Sequence, residues 1–343
     1  MRPVPARINQ LAAEGFEILL IYPHRELVFS LRRDRFQQNI GPGFQAGNET
    51  IIVALSVVRV PLMTELTRLV EAPGASLLPY IDPAFPDRPL VLHAARPRDY
   101  DTATPVLFVH HGVGRNGADY RDYWLGLVDE AGVLAISIEF PEESFPEYLW
   151  YHFGNLHAKD GTPNPREAWT FGIDERLFEQ LHAQGVTTRE RYGLFGHSAG
   201  GQYVHRMLSF GFRDHVAVAV SANAGTYAMP DLSTPWPFGL GETDVDNDAL
   251  RALLAFPITV MAGTEDILTT GQFFPKGPRS MRQGATRFER AHNYVRSGHS
   301  AAAALQTSCA WTIIDVPNVG HDGKQMSAAA APIVSAAMRK SIT

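Results

Sequence analysis

The stretch Leu194–Phe195–Gly196–His197–Ser198–Ala199–Gly200–Gly201 constrains the fold of this chain more than any other. The apolar run that enters it reads as a short buried strand. Gln202 to Phe210 leave it with helix-forming residues and with Val204, Met207 and Leu208 on one side. A strand that becomes a helix within a few residues crowds its own backbone, and at Gly196 and Gly200 a side chain would collide with the neighbouring elements. The turn pushes the hydroxyl of Ser198 out of the sheet and sets it at a helix N-terminus. There, backbone N–H groups and the helix dipole favour developing negative charge. Ser198 is therefore a candidate nucleophile.

The rest of the chain supplies the alternation such a turn needs. Pro89–Ala95 reads as an edge strand, Val106–His110 as a strand, Ala118–Ala131 as a helix closed by Gly132, and Val133–Ile138 as the next strand. A helix over Glu167–Ala183 puts Ile173, Leu177 and Leu181 on one stripe and stops at Gly185, before the strand Tyr192–Phe195. Strands Val216–Ser221, Ile258–Ala262 and Trp311–Val316 follow, with helices over Phe288–Leu305 and Gln325–Arg339. This spacing predicts a mostly parallel sheet with helices on both faces.

Composition removes several function classes. With 45% hydrophobic and 19% charged residues, the 343-residue chain can bury a sizeable core. A net charge of −6 without a basic run gives no footprint for nucleic acid or an anionic membrane, so a small-molecule or polymeric substrate is expected. Cys309 is the only cysteine, which leaves no intramolecular disulfide and no thiolate metal site. Asp244, Asp246 and Asp248 read as a solvated loop rather than a cation site, His110 and His111 alternate faces, and neither a metal nor a cofactor is expected.

Residues 1–75 form an extension without a readable pattern, and 76–343 form the expected catalytic domain. The apolar run Ile18–Tyr22 is short and flanked by Glu14, Glu17, His24, Arg25 and Glu26, unlike a secretory signal. Ile51–Met63 falls short of the ~20 residues a bilayer span needs, and Arg59 interrupts it. A cytoplasmic protein is the resulting expectation.

A nucleophilic serine needs a base, and the base needs an orienting acid. Asp266 lies just past the strand that ends in Met261–Ala262–Gly263, with Glu265 beside it, and His321 lies just past Trp311–Val316. Of the thirteen histidines only His110, His111 and His321 directly follow a strand, and the order Ser, Asp, His selects His321. The loop His110–His111–Gly112–Val113–Gly114–Arg115–Asn116–Gly117 offers the Val113 N–H, and the elbow offers the Ala199 N–H, as two donors for an oxyanion. Two aromatic-rich segments, 141–165 and 225–240, break the βα rhythm. They are expected to wall a pocket above the strand ends, with His111, Tyr148, Trp150, Tyr227 and Trp236 as lining.

Taken together, the elbow, the His-Gly loop, the acid and the last-loop histidine resemble the α/β-hydrolase superfamily, over about residues 75 to 340. Within it, the His-Gly loop and Gly-His-Ser-Ala-Gly-Gly look most like bacterial esterases of the polyester-depolymerase and feruloyl-esterase type. The resemblance implies an α/β-hydrolase fold with a loop-built lid and a serine hydrolase that cleaves a carboxylic ester through an acyl-enzyme. It also implies Ser198, Asp266 and His321 as the triad, with Val113 and Ala199 as the oxyanion hole. Two alternatives stand beside it. Gly112-x-Gly114-x-x-Gly117 follows a strand, opens a helix and precedes Glu139 at the end of the next strand, as in a dinucleotide-binding oxidoreductase. A non-catalytic binding protein on the hydrolase fold is the other.

Overall fold

The computed structural model describes residues 65–340, together with the backbones of two strands, β1 (Glu17–Ile21) and β2 (Val28–Arg32). The chain divides into two compact units, Met1–Pro61 and Leu62–Thr343. In the first, β1 and β2 pair antiparallel with Glu17 opposite Arg32. The apolar stretch 51–63 lies outside the described residues.

The second unit holds the remaining strands: β3 (Gly74–Tyr80), β4 (Leu90–Arg96), β5 (Val106–His110), β6 (Leu134–Glu139), β7 (Tyr192–His197), β8 (Val216–Ala222), β9 (Ile258–Gly263) and β10 (Thr312–Val316). They form one sheet in the order β10-β9-β8-β7-β5-β6-β4-β3. All pairs from β10 to β6 are parallel, and β4 and β3 close the sheet antiparallel. The longer helices are α1 (Gly117–Leu125), α2 (Ile173–Ala183), α3 (Ala199–Ser209), α4 (Asn247–Ala255), α5 (Arg287–Ala304) and α6 (Gly323–Lys340). Among the described residues no helix is long and apolar enough to cross a membrane.

The period-2 alternation of the strands builds two cores, one on each face. Phe108, Leu194 and Ala219 face a core completed by Leu177 and Leu181 of α2, Val204 and Met207 of α3, Leu253 of α4 and Tyr294 of α5. Their neighbours Leu107, Phe195 and Val220 face the other, completed by Trp124 of α1 and by Met326, Val334 and Met338 of α6. The stripe Ile173, Leu177, Leu181 is buried as its 3.6-residue spacing requires.

Three details differ from the sequence reading. β4 lies inside the sheet, because β3 covers it from Gly74 to Tyr80. Proline just before a strand is as compatible with an inner strand as with an edge, whereas Pro79 within β3 does sit on the edge. The unit also begins before residue 76, since Leu66 and Leu69 are buried in its core. Finally, the helix expected from Glu167 starts at Ile173 after two short 3₁₀ turns, and the one expected over 118–131 breaks at Gly126.

Helix α5 shows how closely the outer layer sits on the sheet. A β-carbon added to Gly298 would lie 2.4 Å from the ring of Trp311, which is buried, stacked on Tyr294 and bonded through its indole N–H to Leu253 O. Gly298→Ala gains up to about 1 kcal/mol of helix propensity. Forcing a methyl against a pinned indole costs ~1–3 kcal/mol or more, so the clash should win. A lower urea midpoint with unchanged turnover is expected. A midpoint above wild type would contradict this account of the packing.

Candidate active site

Ser198 occupies the single residue between β7 and α3, with φ 58° and ψ −113°, a backbone conformation that L side chains rarely adopt. It is held there by glycines on both sides. A β-carbon on Gly196 would meet Gly200 O at 2.2 Å, and one on Gly200 would meet His110 O at 2.1 Å. The N-terminus of α3 thus rests on the end of β5 with no room for a methyl group. Ser198 N–H donates to Ala222 O at 2.9 Å, which ties the turn to the next strand.

His321 and Asp266 meet Ser198 from two other loops. His321 Nε2 is 2.9 Å from Ser198 Oγ, and His321 Nδ1 is 2.7 Å from Asp266 Oδ2. A carboxylate only accepts, so Nδ1 carries the proton and the Nε2 lone pair points at the serine hydroxyl. Asp266 is 1% exposed, whereas Glu265 is exposed and uses its backbone N–H to bond Val319 O. Geometry therefore gives Asp266, not Glu265, the contact with His321. The other oxygen of Asp266 faces the guanidinium of Arg287 at 3.4 Å. Sequence reading missed Arg287, because an arginine in the first turn of a helix normally reads as solvent-facing.

The loop after β5 lies against Ser198. A β-carbon on Gly112 would sit 3.8 Å from Ser198 Cβ. Val113 is 38% exposed, and among the described residues neither its N–H nor that of Ala199 donates a hydrogen bond. The loop is braced from behind. The His111 ring bonds Gly112 O and accepts from Phe140 N–H, and the Tyr151 hydroxyl donates to His111 O. Beneath the site His197 is buried, bonded through Nδ1 to the Tyr120 hydroxyl at 2.7 Å, with its ring centroid 4.7 Å from that of His321.

The expected lining residues divide. His111 and Tyr227 depart from that expectation: both are buried, Tyr227 stacked on Tyr294, and neither leaves a face for a ligand. Trp150 lies half-buried under Arg88, Trp236 packs against Phe153 and Phe210, and Tyr148 is 52% exposed beside Phe153. Segment 141–165 acts here as a buttress, through Tyr151. The aspartates near residue 246 have structural duties, since Asp246 caps α4, Asp248 pairs with Arg251 and Asp244 lies 3.8 Å from Arg166.

The glycine motif of the dinucleotide reading is filled by protein. Glu139 Oε2 accepts from Gly117 N–H at 3.0 Å and from His93 at 2.9 Å, so a carboxylate already occupies the start of α1, where a pyrophosphate would bind. A β-carbon on Gly117 would lie 2.7 Å from Glu139 Cβ.

Four histidines around this site are buried and stay neutral. Burial draws His111 down to about 3 and holds His152, His197 and His205 well below the usual imidazole range. Where the folded value lies below the unfolded one, the unfolded chain binds more protons, so stability falls as pH drops below about 6.5. From pH 7 to pH 5, His111 alone should remove about 2 kcal/mol of unfolding free energy. Urea titrations at the two pH values measure this, and equal stabilities would contradict it.

No protein-family model matches the chain, and no curated protein does. Solved structures do. The chain is similar to LpqC, a poly(3-hydroxybutyrate) depolymerase from Bordetella parapertussis, with 36% identity, 78% of this chain and 92% of that one covered, and a TM-score of 0.75. It is similar to poly(aspartic acid) hydrolase-1 from Sphingomonas sp. KT-1, with 34% identity, 76% and 98% covered, and a TM-score of 0.73. An S-formylglutathione hydrolase from Agrobacterium tumefaciens, 15% identical with a TM-score of 0.52 over 78% of this chain and 96% of that one, shares the fold. With relatives at 36% and 34% identity covered along nearly their whole length, and a parallel sheet bearing a strand–serine–helix elbow, the chain belongs to the α/β-hydrolase superfamily, among its polyester-depolymerase-like members.

Proposed function

We propose that this hydrolase cleaves carboxylic esters through an acyl-enzyme formed on Ser198. The observation that carries the reading is the unbroken hydrogen-bonded chain from Ser198 Oγ through His321 to the buried Asp266. His321 Nε2 takes the hydroxyl proton as Oγ attacks the ester carbonyl, and the carbonyl oxygen becomes an oxyanion beside the free N–H groups of Val113 and Ala199. Collapse breaks the ester C–O bond, and the alcohol leaves with the proton that His321 returns. Water then gives a proton to His321 and attacks the acyl carbon. The carboxylic acid departs, and Ser198 Oγ recovers its hydrogen. Asp266 holds the imidazole in the tautomer this needs and stabilises the imidazolium between steps, while Arg287 balances its buried charge.

The partly exposed serine and the exposed Val113 leave the reacting atoms open to solvent, which suits a substrate whose scissile bond lies within a longer chain. Similarity to the Bordetella depolymerase supports a polyester or a short-chain ester as substrate. Release of p-nitrophenol from short-chain esters, and of soluble products from poly(3-hydroxybutyrate) and poly(aspartic acid), distinguishes ester from polyacid specificity. Turnover of the polyacid alone would reject the ester assignment.

Ser198→Ala should lower kcat by about 10³-fold or more with the fold intact, and a fluorophosphonate should label Ser198 alone. Retained turnover, or label on another residue, would remove Ser198 from the role. Asp266→Asn should lower kcat far more than Glu265→Gln, because only Asp266 reaches His321. The opposite ranking in steady-state kinetics would reassign the acid.

A further inference from the structure

The dipeptide Ala222–Asn223, at the end of β8, is bonded to all three loops that carry the triad. Ala222 O accepts from Ser198 N–H at 2.9 Å. Asn223 Oδ1 accepts from Gly263 N–H at 2.8 Å, and Asn223 Nδ2 donates to Gly320 O at 2.9 Å. Gly263 precedes Asp266 by three residues, and Gly320 immediately precedes His321. Asn223 is 1% exposed, and its backbone N–H is committed to Met261 O at 2.9 Å.

The residue type fits this place for two reasons. A carboxamide has an acceptor and a donor on one rigid plane, which is what joining an N–H to a carbonyl requires, whereas a carboxylate has acceptors only. The backbone at Asn223 has φ 45°, in the left-handed region that asparagine and glycine enter most readily. One of the two partners is confined as well, since a β-carbon on Gly263 would lie 2.4 Å from Val319 O.

Other bonds join the acid loop to the histidine loop: Thr264 N–H to Val316 O, Glu265 N–H to Val319 O, and Asn318 N–H to Thr264 Oγ1. None of these reaches the nucleophile's turn. We propose that Asn223 is a positioning residue for the triad. Its amide sets the Asp266–His321 pair in register with the turn that Ala222 holds, so that His321 Nε2 stays within 2.9 Å of the Ser198 hydroxyl. This rests on the catalytic reading of Ser198, His321 and Asp266 given above.

Two substitutions test it. Asn223→Gly keeps the left-handed backbone relaxed and deletes both bonds. Asn223→Asp keeps the volume and the acceptor for Gly263 N–H but sets an oxygen against Gly320 O. Each is assayed with p-nitrophenyl butyrate and by the rate of fluorophosphonate labelling, at a temperature where circular dichroism shows the variant folded. Displacements of about 1 Å at reacting groups cost on the order of 10²-fold, so kcat should fall ~10- to 100-fold in both variants. The labelling rate constant should fall by a similar factor, with KM within about threefold of wild type, as expected when ground-state binding is untouched. Rates within twofold of wild type per folded molecule would overturn the proposal, as would losses that only follow the unfolded fraction. A variant that folds at no temperature would also overturn it, since Asn223 would then be required for the fold itself. The parallel Ser198→Ala assay separates the two levels. If that variant keeps its activity, the triad reading fails; if it is inactive while Asn223→Gly behaves as wild type, only the positioning role fails.

Discussion

The close approach of α3 to the end of β5 is the constraint on which the rest of this site depends. Gly200 passes so near His110 O that a methyl group has no place, and Gly196 is as tightly set against Gly200 O. That contact forces the polypeptide to turn from strand to helix at one residue, and Ser198 absorbs the turn in a left-handed conformation. Such strain persists only where the surroundings over-determine it. Here they do: the flanking helix is buried along its whole length, and the preceding strand is buried on both faces. The energy that holds the serine in an awkward geometry is the hydrophobic burial of two cores, not anything at the serine itself.

Charge is handled by the same economy of space. Asp266 lies in the interior with His321 on one oxygen and Arg287 on the other, so the carboxylate is never a lone buried anion. Glu139, at the start of α1, satisfies the helix N-terminus with a protein carboxylate and so withdraws the glycine loop from any phosphate. Arg206 and Arg290 are fully buried and lean on carbonyl oxygens: Arg206 on His152 O, and Arg290 on Gly284, Gly225 and Pro275. Burial lowers both, Arg206 to about 9 and Arg290 to about 10, yet both remain cations near neutrality. Together they fasten the irregular segments around the sheet's carboxyl end, where aromatic content alone had suggested pocket walls.

Much of the fold was legible because strands buried on both faces and helices with one apolar stripe leave different periods in a sequence. The parallel strands β5 to β9 and the stripe on α2 fall where those periods put them. The edge strand β3 escaped notice because one face is wet and Pro79 interrupts it, which leaves a pattern like that of a loop. At the site, Ser198, Asp266 and His321 were each legible as a polar residue just past a strand. What brings them within hydrogen-bonding distance was not legible. Asn223 looked like any polar residue after a strand, and its two bonds reach 40 and 97 positions along the chain.

By itself, then, the sequence determined the alternation of elements, the one turn that needs glycines on both sides of a serine, and the order in which serine, acid and base appear. These are local matters, set by steric exclusion and by the periodicity of burial. Only the tertiary structure decided that Asp266 and not Glu265 meets His321, and that His111 and Tyr227 support loops from within. It also decided that Glu139 closes the glycine motif. Each of these depends on which way a side chain points once distant strands lie side by side, and a single residue of offset past a strand end reverses that direction.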